Sequence, residues 1–184
     1  IFGKKEYDYV VFFNSRNVGR KKVPDTMLAF RYFLDKLPKE KAEKCVMLLH
    51  TELVSEHGTD LMAIKELLFE GYENNIIFHT DKVSPEYMNF LYNMSDVQIL
   101  LSSNEGWGLS LTESILVGNP IIANVTGGMQ DQLGFRNEKG EWIDFDADFP
   151  SNHTGKYKEC GEWAFPVFPS NRSIQGSPKT PYIW

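Results

Sequence analysis

The 184-residue sequence predicts an α/β fold, a doubly wound parallel sheet of the Rossmann-like kind with an irregular, aromatic-rich C-terminal tail. Two observations carry that expectation. Five short runs, DYVVFFN at 8–14, KCVMLLH at 44–50, NIIFH at 75–79, VQILL at 97–101 and PIIANV at 120–125, are apolar without alternation, as strands covered on both faces should be. Between them lie stretches with apolar residues at helical spacing and recognisable starts and stops. Strands alternating with helices connect by right-handed crossovers, which makes the sheet parallel.

The elements follow in order. After the first run comes a polar, basic loop, SRNVGRKK. A helix begins near Pro24, with proline in its first turn and Met27, Leu28, Phe30, Phe33, Leu34 and Leu37 on its apolar face; Pro38 closes it. The next helix spans about Thr59 to Glu70 and stops at Gly71, another covers 84–94 behind Ser84-Pro85, and a third covers 108–117 before Gly118. Beyond Gly128 the regularity ends. Residues 134–184 hold three of the four Trp and one hairpin around Asn137 to Phe145 with Gly140 in its turn. The expected organisation is one sheet domain over 1–133 and a tail over 134–184 packed on it. In such sheets ligands bind at the carboxyl ends of the strands, so the loops after 14, 50, 79, 101 and 125 are where chemistry belongs.

Composition narrows the function classes. A net charge of −6 argues against a nucleic-acid surface, which needs a basic excess to displace counterions. The two cysteines, Cys45 and Cys160, make neither a disulfide framework nor a zinc spacing, so reduced thiols are expected. No signal peptide and no apolar run of spanning length occurs, which points to a cytoplasmic chain without a transmembrane segment. The start, IFGKKEYDYV, lacks a Met and enters a strand almost at once, as an excised piece would. The sequons at Asn93, Asn124, Asn152 and Asn171 read as coincidences, the first two falling in an expected helix and strand where a glycan would obstruct packing.

The sharpest local signal is SSNEGWGLSLTESILVGNP, residues 102–120, directly after a strand. Gly106 and Gly108 bracket Trp107 at a helix start, where backbone N–H groups and the helix dipole favour an anion such as a phosphate. Glu105 precedes the turn and Glu113 lies about two helical turns on. Carboxylates repel phosphate, so beside such a site they suit sugar or ribose hydroxyls; by spacing alone they could equally be solvated surface groups. His50 and His79 each end a strand and could line a pocket or pack. Asp144, Asp146 and Asp148 read as a solvated hairpin strand, and Gly127-Gly128 as either a plain turn or a ligand-facing loop.

The segment SSNEGWGLSLTE resembles the signature of the family 4 (group 1) glycosyltransferases of GT-B fold, with a Glu, a Gly-aromatic-Gly turn and a second Glu eight positions on. The order of the other landmarks is similar too: a strand leading into Arg16, Arg20 and Lys21, then HTDKVSPEYMNFLYNMSDV, then the Glu signature, then GNPIIANVTGGMQD. The similarity covers roughly residues 8–133. The tail GEWAFPVFPSNRSIQGSPKTPYIW resembles viral and marine microbial members.

The resemblance implies a donor-binding C-terminal domain that transfers a hexose, with retention, from a nucleoside diphosphate sugar to an unknown acceptor. It further implies no cofactor, no catalytic metal, and a partner N-terminal domain absent from this chain. Arg16 and Lys21 match the basic pair on the donor pyrophosphate, with Arg20 beside them, and Glu105 the carboxylate on the transferred sugar. Gly106, Trp107, Gly108 and Leu109 match the turn that meets sugar and phosphate, Glu113 the ribose carboxylate, and Thr80, Asp81, Lys82 and Val83 the base loop. GDP-mannose is the donor it suggests. A non-catalytic assembly domain or a nucleotide-sugar epimerase on the same fold is the alternative. A dinucleotide-dependent dehydrogenase fits worse, because SRNVGRKK replaces a glycine-rich phosphate turn.

Overall fold

A computed structural model describes residues 1–3, 5–144, 157–169, 174–177 and 180–183. The chain runs β1 (Tyr9–Asn14), α1 (Val23–Asp35), α2 (Lys39–Ala42), β2 (Cys45–His50), α3 (Leu61–Leu68), β3 (Ile76–His79), α4 (Pro85–Asn93), β4 (Val97–Leu100), α5 (Leu109–Leu116), β5 (Ile121–Asn124), α6 (Met129–Gln132), β6 (Ala164–Val167), β7 (Ile174–Ser177) and β8 (Thr180–Ile183). The first six strands form one parallel sheet in the order β3-β2-β1-β4-β5-β6, while β7 and β8 pair antiparallel with each other. The expected doubly wound sheet is present.

Alternation along the strands assigns the two faces. Val11, Phe13, Met47 and Leu49 pack with Met27, Phe30 and Leu34 of α1 and Leu61 of α3. Val10, Phe12, Val46 and Leu48 pack with Leu91 and Tyr92 of α4 on the other side. Both faces of β1 and β2 are therefore buried, which is why these strands read as unbroken apolar runs.

Local chemistry sets the boundaries. Asp60 caps α3, its carboxylate accepting from Met62 N at 3.0 Å and Ala63 N at 3.1 Å, so the helix starts at Leu61 rather than near Thr59. Ser84 caps α4 in the same way, with Pro85 in the first turn. Pro38 ends nothing: α1 stops at Asp35, and Pro38 instead opens the short α2, which the sequence reading did not anticipate.

The larger difference is β6. The tail expected to be irregular supplies a sixth strand, pairing Ile121↔Ala164 through Asn124↔Val167 with β5. Its Pro166 argues against a strand in sequence, but β6 is the sheet edge and one side of it needs no N–H donor. The hairpin at Asn137 is present as a narrow bridge, Arg136↔Trp142, with Gly140 at φ +78°; Phe145, Asp146 and Asp148 lie outside the described residues. The described part of the tail packs on the sheet domain: Trp163 Nε1 donates to Gln132 O at 3.0 Å, and Phe135, Tyr157 and Trp163 pack in the core that includes Ile121, Val125 and Leu133.

Cys45 and Cys160 are free. No helix among the described residues is long and apolar enough to cross a membrane. Asn124 is buried, as expected for a sequon inside a strand, whereas Asn93 is exposed at the last position of α4 and a glycan there would not meet the core. Asn152 and Asn171 lie outside the described residues.

Phe12 is fully buried between the sheet and α4, so Phe12→Ala should cost about 3–5 kcal/mol in denaturant unfolding, whereas Leu116→Ala on the exposed side of α5 should stay within about 0.5 kcal/mol.

Candidate functional site

The sheet reverses direction of growth between β1 and β4. These neighbours pair only at Val11↔Val97 and Phe12↔Gln98, so their carboxyl ends diverge and open a crevice at the switch point. The loops after β1 and β4 form its two banks.

The loop after β1 makes a 3-10 turn over Gly19–Lys21, and Lys22 at φ +52° turns the chain into α1. Asn17, buried, holds this loop to the one after β2: its Nδ2 donates to Thr59 O at 2.6 Å and its Oδ1 accepts from Thr59 N at 3.1 Å. Gly58 is required there, since a Cβ would stand 2.3 Å from Asn17 O. On the other bank Ser103 N donates to Arg20 O at 2.8 Å, and Arg20 Nη1 donates to Asn104 O at 2.7 Å.

Glu105 closes the crevice. Its Oε1 accepts from Arg20 Nη1 at 2.7 Å and from the Lys21 ammonium, and Lys21 and Glu105 are each only 8% exposed. The expectation of a carboxylate hanging over an open pocket therefore changes: Glu105 is a buried anchor for two cations. Burial alone would raise its carboxyl, but the hydrogen bonds it receives, foremost from Lys21, outweigh that and hold it below the ordinary carboxylate range. Burial pushes the Lys21 ammonium down, with Glu105 acting against that shift.

The glycine-rich turn sits directly behind. Gly108 adopts φ +86° and precedes α5. The turn is locked from α5 and α6: Gln132 Nε2 donates to Trp107 O at 2.5 Å, Thr112 Oγ1 donates to Gln132 Oε1 at 2.8 Å, and Trp107 Nε1 donates to Thr112 Oγ1 at 2.8 Å. Among the described residues no acceptor meets the N–H groups of Gly106, Trp107, Gly108 and Leu109, which stand at the start of α5. Gly127 and Gly128 are a close-packing pair: a Cβ would lie 2.2 Å from Glu105 O at the first and 2.1 Å from Gly106 O at the second. That contact, with Gly128 N donating to Glu105 O at 3.0 Å, accounts for both glycines.

A cavity of about 430 Å³ lies over the carboxyl ends of β1, β2 and β3, lined by Asn14, Ser15, Arg16, Arg20, Lys21, His50, Thr51, Glu52, Thr80, Asp81 and Lys82. It gathers Arg16, Arg20 and Lys21 with three of the four base-loop residues expected from sequence. Val83, Glu105, the 106–109 turn and Glu113 are outside its wall. Glu105 joins through its contacts with Arg20 and Lys21. Glu113 joins through Tyr92, whose Oη donates to Glu113 Oε2 at 2.5 Å and accepts from Asn14 Nδ2 at 2.8 Å. His50 lines the cavity, and its Nδ1 meets His79 Nδ1 at 3.0 Å. Burial, then the adjacent His79, push the His50 imidazole below its ordinary value, so it is neutral at pH 7. His79 stacks on Tyr87.

Residues 1–148 match the family described as Glycosyl transferases group 1. This chain belongs to that family. The chain is similar to a curated trehalose synthase of Pyrococcus horikoshii, 31% identical over 64 residues, which cover 35% of this chain and 15% of the relative. Among solved structures it resembles the C-terminal domain of a group 1 family glycosyl transferase, LpcC, from Francisella tularensis, with a TM-score of 0.60, 19% identity, and 77% and 70% of the two chains covered. It also resembles apo OtsA, with a TM-score of 0.60, 15% identity, and 68% and 31% covered. A third likeness is to a trehalose-6-phosphate protein from E. coli bound with UDP-2-fluoro glucose, with a TM-score of 0.58, 16% identity, and the same coverage of 68% and 31%. The group 1 chain thus spans about a third of OtsA's length, and these likenesses concern the GT-B fold.

Sequence reasoning missed Asn17, which ties the basic loop to the loop after β2, and Tyr92 and Gln132, which hold Glu113 and the Trp107 carbonyl. None carries a local motif.

Two outcomes follow for this site. Gly128→Ala should destabilise the fold by about 2 kcal/mol in denaturant unfolding, because the Gly106 carbonyl must move. Glu105→Gln should cost about 3 kcal/mol at pH 7, because Lys21 keeps a buried charge without its carboxylate. Since the folded Glu105 carboxyl lies below its unfolded value, that difference should be complete above pH ~4.3 and vanish as pH falls through the depressed value; unfolding curves of both proteins at pH 7, 5 and 3 measure it.

Proposed function

We propose that this chain is the donor-binding half of a retaining glycosyltransferase, holding a nucleoside diphosphate sugar while a hexose passes to an acceptor. One observation carries the reading: a chain of net charge −6 gathers Arg16, Arg20, Lys21 and Lys82 in the wall of one cavity, against Glu52 and Asp81 in that wall and Glu105 behind Arg20 and Lys21, with N–H groups at the start of α5 that meet no acceptor among the described residues. Such a constellation suits a diphosphate. The cavity is also of the size that takes a small ligand.

In this reading the diphosphate lies between Arg16, Lys21 and the 106–109 turn. As the anomeric bond breaks, negative charge grows on the departing phosphate, and these fixed donors stabilise it where it develops. Lys21 is suited to this because Glu105 and the surrounding burial hold it in place before the donor arrives. Glu105 keeps Oε1 on Arg20 and Lys21 and offers its other carboxylate oxygen to hydroxyls of the transferred sugar, Glu113 accepts from the ribose, and Thr80, Asp81, Lys82 and Val83 face the base. The charge is neutralised by side chains and backbone, without a catalytic metal. The acceptor meets the donor across a cleft completed by an N-terminal domain outside these 184 residues, in keeping with the likeness to a solved C-terminal domain. Retention and GDP-mannose follow from the family resemblance; the relative bound with UDP-2-fluoro glucose makes UDP-glucose the competing donor.

Calorimetry of the chain with GDP, UDP and ADP and their sugars tests the reading. One nucleotide should bind, without turnover, and Lys21→Ala should weaken it about 10–100-fold, as expected for a charged hydrogen bond. Silence from all three nucleotides overturns the assignment. Unchanged affinity in the variant removes the role of Lys21.

A further inference from the structure

We infer that Tyr92 is a positioning residue that aims the Glu113 carboxylate at the ribose, an inference that rests on reading Glu113 as the ribose-binding group. Tyr92 comes from α4, on the face of the sheet opposite α1, and is only 2% exposed. Its ring stands edge-on to Phe12 with centroids 5.2 Å apart, and Asn119 Nδ2 donates to its carbonyl at 2.5 Å. The phenol oxygen is therefore placed by the core rather than by a mobile side chain.

The direction of its hydrogen bonds is fixed by chemistry. The Asn14 Nδ2 group can only donate, so at 2.8 Å it fills a lone pair of the phenol and leaves the hydroxyl hydrogen for Glu113 Oε2 at 2.5 Å. Burial, then Glu113, push the phenol's proton affinity up, so it stays a donor throughout the working pH range. Glu113 itself is exposed on α5, and among the described residues no other donor reaches it. An exposed glutamate has three side-chain torsions to order, and one bond to a fixed phenol orders them before the ligand arrives. Oε1 is then left for a vicinal diol. A phenylalanine would pack equally well against Phe12, so core packing alone does not account for the hydroxyl.

The test compares affinity for the nucleotide that binds in calorimetry (GDP, UDP or ADP) with affinity for its 2′-deoxy form. The wild-type chain should prefer the ribose form about tenfold or more, and Glu113→Ala should erase the preference. Tyr92→Phe should keep its thermal midpoint within a few degrees, reduce the preference below about threefold, and add nothing further in the Glu113→Ala background. If Tyr92→Phe folds and keeps the full preference while Glu113→Ala loses it, the positioning role is overturned and the donor-site reading stands. If the wild type binds no nucleotide, or binds both forms alike, the donor-site reading of Glu113 fails and the inference with it. Should Tyr92→Phe not fold, Asn14→Ala, which frees the phenol at its other end, is expected to lower the preference at least threefold, and an unchanged preference there overturns the role.

Discussion

The contact of Arg20 and Lys21 with Glu105 is the one on which the rest of the site depends. Its members come from loops 84 or 85 residues apart, on strands that part company after two paired positions. Nothing in the sheet itself holds those loops at a fixed separation beyond Phe12 and Gln98. Two cations on one carboxylate oxygen do so, and the Ser103 N to Arg20 O bond supports them. Placing charges at 8% exposure is costly unless each is paired, so the arrangement tolerates little movement: any displacement leaves a desolvated charge behind.

The same contact explains why glycines crowd behind it. For Glu105 to meet the basic loop, its own backbone must lie against the turn after β5, and Gly127 and Gly128 leave the space a Cβ would take. Gln132 then ties the Trp107 and Gly108 carbonyls to α6. The N–H groups at the start of α5 are thus held in a fixed direction by contacts to α6.

Much of the fold was legible because burial on both faces leaves a strong mark. The five apolar runs became β1 to β5 with no boundary shifted by more than one residue, and the start signal at Ser84-Pro85 is the cap of α4, whereas the cap of α3 is Asp60, one residue past the expected start. The sixth strand was illegible because an edge strand is freed from the donor requirement that makes proline informative elsewhere. In the site, Arg16, Arg20 and Lys21 were legible from their place after a strand, and Glu105 and Glu113 from the Gly-Trp-Gly turn between them. Asn17, Tyr92 and Gln132 were not, since they act on partners 42, 21 and 25 residues away and leave no local pattern.

By itself the sequence determined the class of fold, the strands and the end of the sheet at which polar groups would collect, because period, caps and chain order are local or nearly local properties. Only the tertiary structure decided that Glu105 is buried against two cations rather than exposed, that Gly127-Gly128 serves backbone packing, and that Glu113 is tied to β1 through Tyr92. Those outcomes depend on the distance between segments distant in the chain, set jointly by strand order and core packing, and no stretch of residues encodes that distance alone.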